Sequence, residues 1–121
     1  MSLKVSIITI TFNAEKTIES TIKSVLSQNY KNIEYIIIDG KSTDNTLNII
    51  NNYANQISKI ISEKDKGLYD AINKGIEVST GDIIALIHAD DFYINENIIS
   101  NYIEKFNETN ADAVYANLYY V

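Results

Sequence analysis

The chain contains no cysteine, no proline and no arginine. Without cysteine there is no disulfide framework and no thiolate metal site, which fits a reducing compartment. Without arginine, all ten basic residues are lysines. Together with abundant isoleucine and asparagine this is a composition bias, and no function follows from it. Positive charge is also short: ten lysines against 16 acidic residues leave a net charge of −6. That balance argues against a general nucleic-acid binder. An anionic small ligand remains admissible where a metal or helix N-termini neutralise it locally. Long apolar runs are missing; stretches such as YIIID (35–39) fall far short of the roughly 20 residues a membrane span needs. MSLK at the start is too short and too polar for a signal peptide. There is no GxGxxG and no Walker motif, so a phosphate would have to be met without a glycine-rich loop.

What remains is ordinary globular material. A chain of 121 residues, 45% hydrophobic and 21% charged, suggests one domain or part of a larger one. It can bury roughly two-thirds of its unfolded surface. Val5, Ile7, Ile8 and Ile10 form a β-branched run that predicts a strand over about 4–10. Ile18, Ile22, Val25 and Leu26 recur at helical spacing, with Asn13 as a candidate N-cap and Glu15 in the first turn. A second strand ends at Asp39. The next helix puts Leu47, Ile50, Ala54 and Ile57 on one face, with Ser42 or Thr43 as cap and Asp44 in the first turn. SKIISE (58–63) is a short strand. The segment 67–81 reads as a helix with Leu68, Ile72 and Ile76 inward, stopped near Gly81. DIIALIH (82–88) is the fourth strand, and a helix follows with Ile98, Ile99, Tyr102, Ile103 and Phe106 apolar. ADAVYANLYYV (111–121) reads as a fifth strand. The order is βαβαβαβαβ, and nearly continuous apolar strands imply burial on both faces. The expected fold is therefore α/β, a mainly parallel sheet in the order 3-2-1-4 with helices on both faces.

In such a sheet, ligands bind beyond the carboxyl ends of the strands, where strand order reverses. Those ends carry Thr11, Phe12 and Asn13; Asp39, Ser42 and Asp44; Glu63, Lys64, Asp65 and Lys66; and His88, Asp90 and Asp91. Two adjacent aspartates ending a buried strand repel each other and are costly to desolvate. A divalent cation on oxygen ligands would compensate them.

The segments VSIITITFNAEKTIESTIKSVLSQNY, IIIDGKSTDNT, SEKDKGLYDAINKGI and TGDIIALIHADDFY, in this order and spacing, resemble the nucleotide-binding half of family 2 glycosyltransferases of the GT-A fold. The likeness runs from Val5 to about Tyr120 and is nearest to bacterial enzymes that build surface polysaccharides. It implies a single domain over 1–121 that binds a nucleotide-diphosphate sugar, UDP-sugars being the favoured donors. It also implies an inverting transfer to a glycan or lipid-linked acceptor, and a cytoplasmic location at the inner face of the membrane. Thr11, Phe12 and Asn13 match the segment lining the nucleobase pocket, and Asp39 matches the base-binding aspartate. Asp65 and Lys66 match a loop near base and diphosphate, and Asp90 would lie near ribose or diphosphate. Asp91 would hold Mg²⁺ or Mn²⁺, screening the leaving group. The family's catalytic base lies further along than Val121, so the resemblance assigns none here, and the chain reads as a fragment truncated at its C-terminus. Ile10 stands where the family often has proline, the second strand ends in one acid rather than two, and Lys41 stands where glycine is common.

Plainer readings stand beside these. Asp90 and Asp91 could form a polar loop and helix start capped by Asp91 or Asn95. Asp39 could begin an Asx-type turn, and Phe12 could be core. His88 could be a packing residue, Asp44 a helix-start acid, Lys64 and Lys66 solvated charges, and Tyr115, Tyr119 and Tyr120 strand packing. A signalling receiver domain needs acids after the first strand and an aspartate after the third; Glu15, Glu63 and Asp65 match that poorly. A nucleotide-binding module without turnover is the other alternative. A fragment should also be marginally stable or self-associating.

Overall fold

The computed structural model describes residues 3–109 and 115–117. The elements are β1 (Val5–Thr11), α1 (Ile18–Leu26), β2 (Ile33–Asp39), α2 (Thr46–Asn51), a 3₁₀ turn (Ala54–Gln56), β3 (Lys59–Ser62), α3 (Leu68–Val78), β4 (Ile83–His88), α4 (Ile98–Thr109) and β5 (Tyr115–Asn117). All strand pairs are parallel, and the five-stranded sheet runs β3-β2-β1-β4-β5. Order reverses at β1: the chain moves outward through β2 and β3, then returns to place β4 on the other side. The expected order holds and the fifth strand joins it at the edge. Tyr119 and Tyr120 lie outside the described residues.

Alternate residues of each strand face opposite layers. Val5 and Ile7 of β1, Tyr35 and Ile37 of β2, and Ile83, Ala85 and Ile87 of β4 form one core with Ile18, Ile22 and Val25 of α1, Ile50 of α2, and Ile99 and Ile103 of α4. The opposite face is thinner. There Ile8, Ile36 and Ile38 pack with Ala71 of α3, and Ile10, Ile84 and Leu86 are only partly covered. Helices therefore lie on both faces, three against one.

Several local expectations are corrected. Asn13 does not cap the first helix, and Glu15 is not in its first turn; α1 begins at Ile18 after Thr17, and Glu19 is the first-turn acid. Asn13 instead takes a φ of 48° and spends its side chain on a neighbouring loop. Neither Ser42 nor Thr43 caps α2. Asn45 is the capping position, and Asp44 precedes it, accepting from the Thr46 N–H and hydroxyl at 3.0 and 2.5 Å. That helix stops at Asn51, and Ala54 is exposed in the 3₁₀ turn. Leu68 does not point inward but is 49% exposed. Ala71 and Gly75 face the sheet instead, because α3 approaches it closely: a Cβ on Gly75 would lie 2.7 Å from Ile8 Cγ2. No large side chain fits in that gap.

Candidate functional site at the carboxyl rim

Strand register aligns the ends of four strands. Thr11 pairs with Asp39, Asp39 with Ser62, and Ile10 with His88. The large apolar side chains that are exposed among the described residues also gather here: Phe12, Leu68, Tyr69, Phe92 and Ile94 all follow the carboxyl end of a strand. Apolar exposure concentrated at one end marks an interaction surface.

The loops after β1 and β2 are laced together. The Asn13 N–H donates to Ser42 Oγ at 2.8 Å, and Asn13 Oδ1 accepts from the Thr43 N–H at 2.8 Å. The Ala14 N–H donates to Thr46 Oγ1 at 2.8 Å. The Glu15 N–H donates to Asp44 Oδ2 at 3.3 Å, and Glu15 Oε1 accepts from the Asn45 N–H at 3.0 Å. Burial would raise the Asp44 carboxyl, but the bonds from Thr46 and Glu15 outweigh it and hold the group below the usual range.

Asp39 is wholly buried at the base of this lacing. Its Oδ2 accepts from the Ser42 N–H at 2.9 Å and the Ser62 hydroxyl at 2.8 Å, and its Oδ1 accepts from the Ser42 hydroxyl at 2.5 Å. Three donors are what a buried carboxylate requires. They also close a turn, as the plainer reading anticipated. Gly40 follows, and a Cβ there would sit 2.9 Å from Asp65 Oδ2 and 3.5 Å from Phe12 Cδ1. The absent side chain is what lets Asp65 and Phe12 close over this turn. Asp65 Oδ1 also accepts from the Gly67 N–H at 3.2 Å. Lys66 is exposed, and its N–H donates to Asp70 Oδ2 at 2.9 Å, which holds the Asp70 carboxyl below its usual range.

Phe12 is 61% exposed, so it is not core. It lines a cleft of about 660 Å³ on one side, with Asn13, Glu15, Lys16, Asp44, His88 and Asp90. It also lines a crevice of about 270 Å³ with Thr11, Asp65, Leu68 and Ala71. The larger volume suits a small-molecule ligand. Thr11 Oγ1, in a residue only 3% exposed, is a buried side-chain oxygen with no hydrogen-bond partner.

Beside the cleft stand Asp90, exposed, and Asp91, half-buried. Burial, and then the neighbouring Asp90 charge, push the Asp91 carboxyl above its ordinary range, while His88 pulls it down. Lysine ion pairs hold Glu34, Glu63 and Asp70. No described cluster of three or more His, Cys, Asp or Glu side chains could cage a metal. Two adjacent carboxylates offer hard oxygen ligands of the kind a divalent cation takes, and the rest of its shell would have to come from water or a bound ligand. In donor chemistry the residues present therefore fit a hard divalent cation.

The family model for glycosyl transferase family 2 matches residues 6–121. The chain belongs to that family. The receiver-domain reading falls with this finding. Among relatives, the chain is 40% identical over 118 residues to the Escherichia coli protein WfaP, a UDP-Glc:alpha-D-GlcNAc-diphosphoundecaprenol beta-1,3-glucosyltransferase; the match covers 95% of this chain and 46% of WfaP. Among solved structures, Staphylococcus aureus TarS 1-349 in complex with UDP-GlcNAc superposes with a TM-score of 0.82 at 25% identity, over 91% of this chain and 33% of TarS. The mannosyltransferase PcManGT of Pyrobaculum calidifontis, solved with GDP-Man and Mn²⁺, gives 0.81 at 22% identity, over 88% and 33% of the two chains. The fold is thus that of GT-A glycosyltransferases, and this family 2 chain spans less than half the length of the relatives it matches.

Sequence reasoning placed Thr11, Phe12, Asn13, Asp39, Asp65, Lys66, Asp90 and Asp91 on one rim, and the structure brings all eight there. It separates them by exposure: Asp39 is enclosed, whereas Phe12, Asn13, Lys66 and Asp90 meet solvent. Gly40, Lys16 and Ala14 were missed as rim or cleft residues. Only the glycine carried a sequence signal, in its place directly after a strand-ending acid.

Proposed function

We propose that this chain is the donor-binding part of a glycosyltransferase. It would bind a nucleoside-diphosphate sugar with Mg²⁺ or Mn²⁺ and serve inverting transfer of the sugar to a glycan or lipid-linked acceptor. The observation that carries the reading is the adjacent Asp90–Asp91 carboxylates beside a cleft walled by an exposed aromatic. Phe12 would offer a face to the base, and Thr11 would line the crevice on the other side of that ring. Asp39 and Asp65 would shape the base pocket through the turn at Gly40, and Lys66 would lie near the diphosphate. Asp90 would face ribose or diphosphate and Asp91 would hold the metal. When bound, the metal would supply Lewis-acid stabilisation of the departing nucleoside diphosphate. UDP is the favoured nucleotide because WfaP is named for UDP-Glc and TarS was solved with UDP-GlcNAc; PcManGT, with GDP-Man, keeps guanine in the test. A lipid-linked acceptor is supported by the WfaP name.

The experiment is thermal shift of the protein against UDP, GDP, CDP and dTDP, each with and without Mn²⁺. At ligand about 100 times its dissociation constant, stability should rise by about 2.7 kcal/mol. One nucleotide stabilising only with metal, and losing that effect in Asp91→Asn, is the expected result. No shift with any nucleotide would refute the donor-site reading. Binding without transfer by the full-length protein would favour the non-catalytic module.

A further inference from the structure

Thr21 and Ser24, at i and i+3 on one face of α1, and Gln28, two residues beyond the end of that helix, have no part in the site as described. These are polar residues turned inward: Thr21 is fully buried and Gln28 is 6% exposed. Each binds backbone of the segment that carries the acid pair. The Thr21 hydroxyl lies 2.9 Å from the Ala89 carbonyl and 2.5 Å from the Asp91 carbonyl, sharing its proton between them. Ser24 Oγ accepts from the Tyr93 N–H at 3.0 Å. Gln28 Nε2 donates to the Asn95 carbonyl at 2.7 Å, and its Oε1 accepts from the Ile99 N–H at 3.0 Å.

Backbone at positions 89, 91 and 93 is thus fixed to α1 and that at 95 to Gln28 beyond it, and the intervening Asp90, Phe92 and Ile94 are exposed. The two carbonyls held by Thr21 bracket Asp90 and belong to the residues on either side of it. One hydroxyl therefore fixes the backbone from which both carboxylates project.

We infer that Thr21 is a positioning residue for the Asp90–Asp91 pair, acting through those two carbonyls. This rests on the donor-site reading, in which the pair binds a metal–nucleotide. Oriented donors matter because a divalent cation tolerates little misplacement of its ligands, and loss of such supporting bonds costs on the order of 10- to 100-fold in metal affinity. Fully buried and inside a helix, Thr21 is too remote from solvent to touch a ligand itself.

The test is calorimetric titration of the protein with UDP, GDP, CDP and dTDP, in Mn²⁺ and in EDTA, reading the ratio of the two affinities. Thr21→Val keeps the shape and removes the hydroxyl. It should lower the ratio about tenfold or more while leaving the EDTA affinity within about twofold. Thr21→Ser should restore the ratio. Gln28→Met loosens only the far end of the segment; it should lower the melting temperature and keep the ratio. An unchanged ratio in Thr21→Val, or an equal loss in Gln28→Met, would overturn the inference. Should Thr21→Val fail to fold, Thr21→Ala, which also removes the hydroxyl, decides by the same readout: a ratio about tenfold lower is expected, and no change overturns the inference. If the unmodified protein binds none of the four better with Mn²⁺, both the inference and the donor-site reading fall. If it does, and Thr21→Val matches it, the inference falls alone.

Discussion

At the end of the sheet opposite the site, Glu34 gives the fold a calculable acid sensitivity. Its side chain is only 7% exposed, yet it is held by five groups. Oε1 accepts from the Ser6 hydroxyl at 2.7 Å and the Thr80 N–H at 2.8 Å. Oε2 accepts from the Thr80 hydroxyl at 3.0 Å, with Lys59 Nζ at 3.2 Å and Lys4 Nζ at 3.8 Å. Burial alone would raise this carboxyl, but the hydrogen bonds from Thr80, Ser6 and Lys59 outweigh it and bring the pKa to about 2. The unfolded chain titrates near 4.5. A shift of that size corresponds to about 3 kcal/mol. The folded pKa is the lower one, so this stability is fully present above pH 4.5 and is lost as pH falls from 4.5 toward 2. Against a domain stability of about 5–15 kcal/mol, it is a large share. Urea unfolding from pH 7 to pH 2.5, on the native chain and on Glu34→Gln, isolates it. The amide should lower stability by about 3 kcal/mol at pH 7, since it loses the ion pairs and turns a donor toward donors. The gap between the two proteins should narrow steadily below pH 4.5. Parallel pH curves would refute the reasoning.

Other substitutions follow from local geometry. Gly75→Ala should cost about 1–3 kcal/mol in chemical unfolding, because the new methyl meets Ile8 and α3 must retreat from the sheet; an unchanged midpoint would show that the helix floats. Lys41 has a φ of 66°. Replacing it with glycine should relieve about 1–2 kcal/mol of strain, partly offset by glycine's own entropy, for a net gain of a few tenths to about 1 kcal/mol. Lys41→Ala should show no such gain, and equal behaviour of the two would count against strain. Asp39→Ala frees Ser42 and Ser62, so it should destabilise by about 1–3 kcal/mol. It should also flatten the ranking of nucleotides by affinity; an unaltered ranking would remove Asp39 from base recognition.

The strands were legible because parallel burial leaves little room for polar residues: Ile36, Ile37 and Ile38 are all fully buried, on alternating faces. The acid pair was legible because carboxylates at that place have few inexpensive explanations. Helix starts were not. Asn13 and Asp44 carry the chemistry of a cap, but a neighbouring loop competes for Asn13, and only the tertiary structure decides that contest. Leu68 fitted the helical period of α3, which cannot reveal how closely a helix approaches its sheet; that distance is set by Ala71 and Gly75. Thr21, Ser24 and Gln28 were not singled out by the sequence pattern, because their partners are backbone groups of a segment 67 to 69 residues away.

The lacing of the loops after β1 and β2 also has a kinetic meaning. Bonds run both ways between residues 13–15 and 42–46, so the wall of the cleft is built when the chain folds. A ligand arriving there meets a surface already in place and orders little of it. Association would then be governed by encounter rather than by loop closure, with rates in the ordinary docking range or above. Slow, saturating binding kinetics would have to arise elsewhere in the protein.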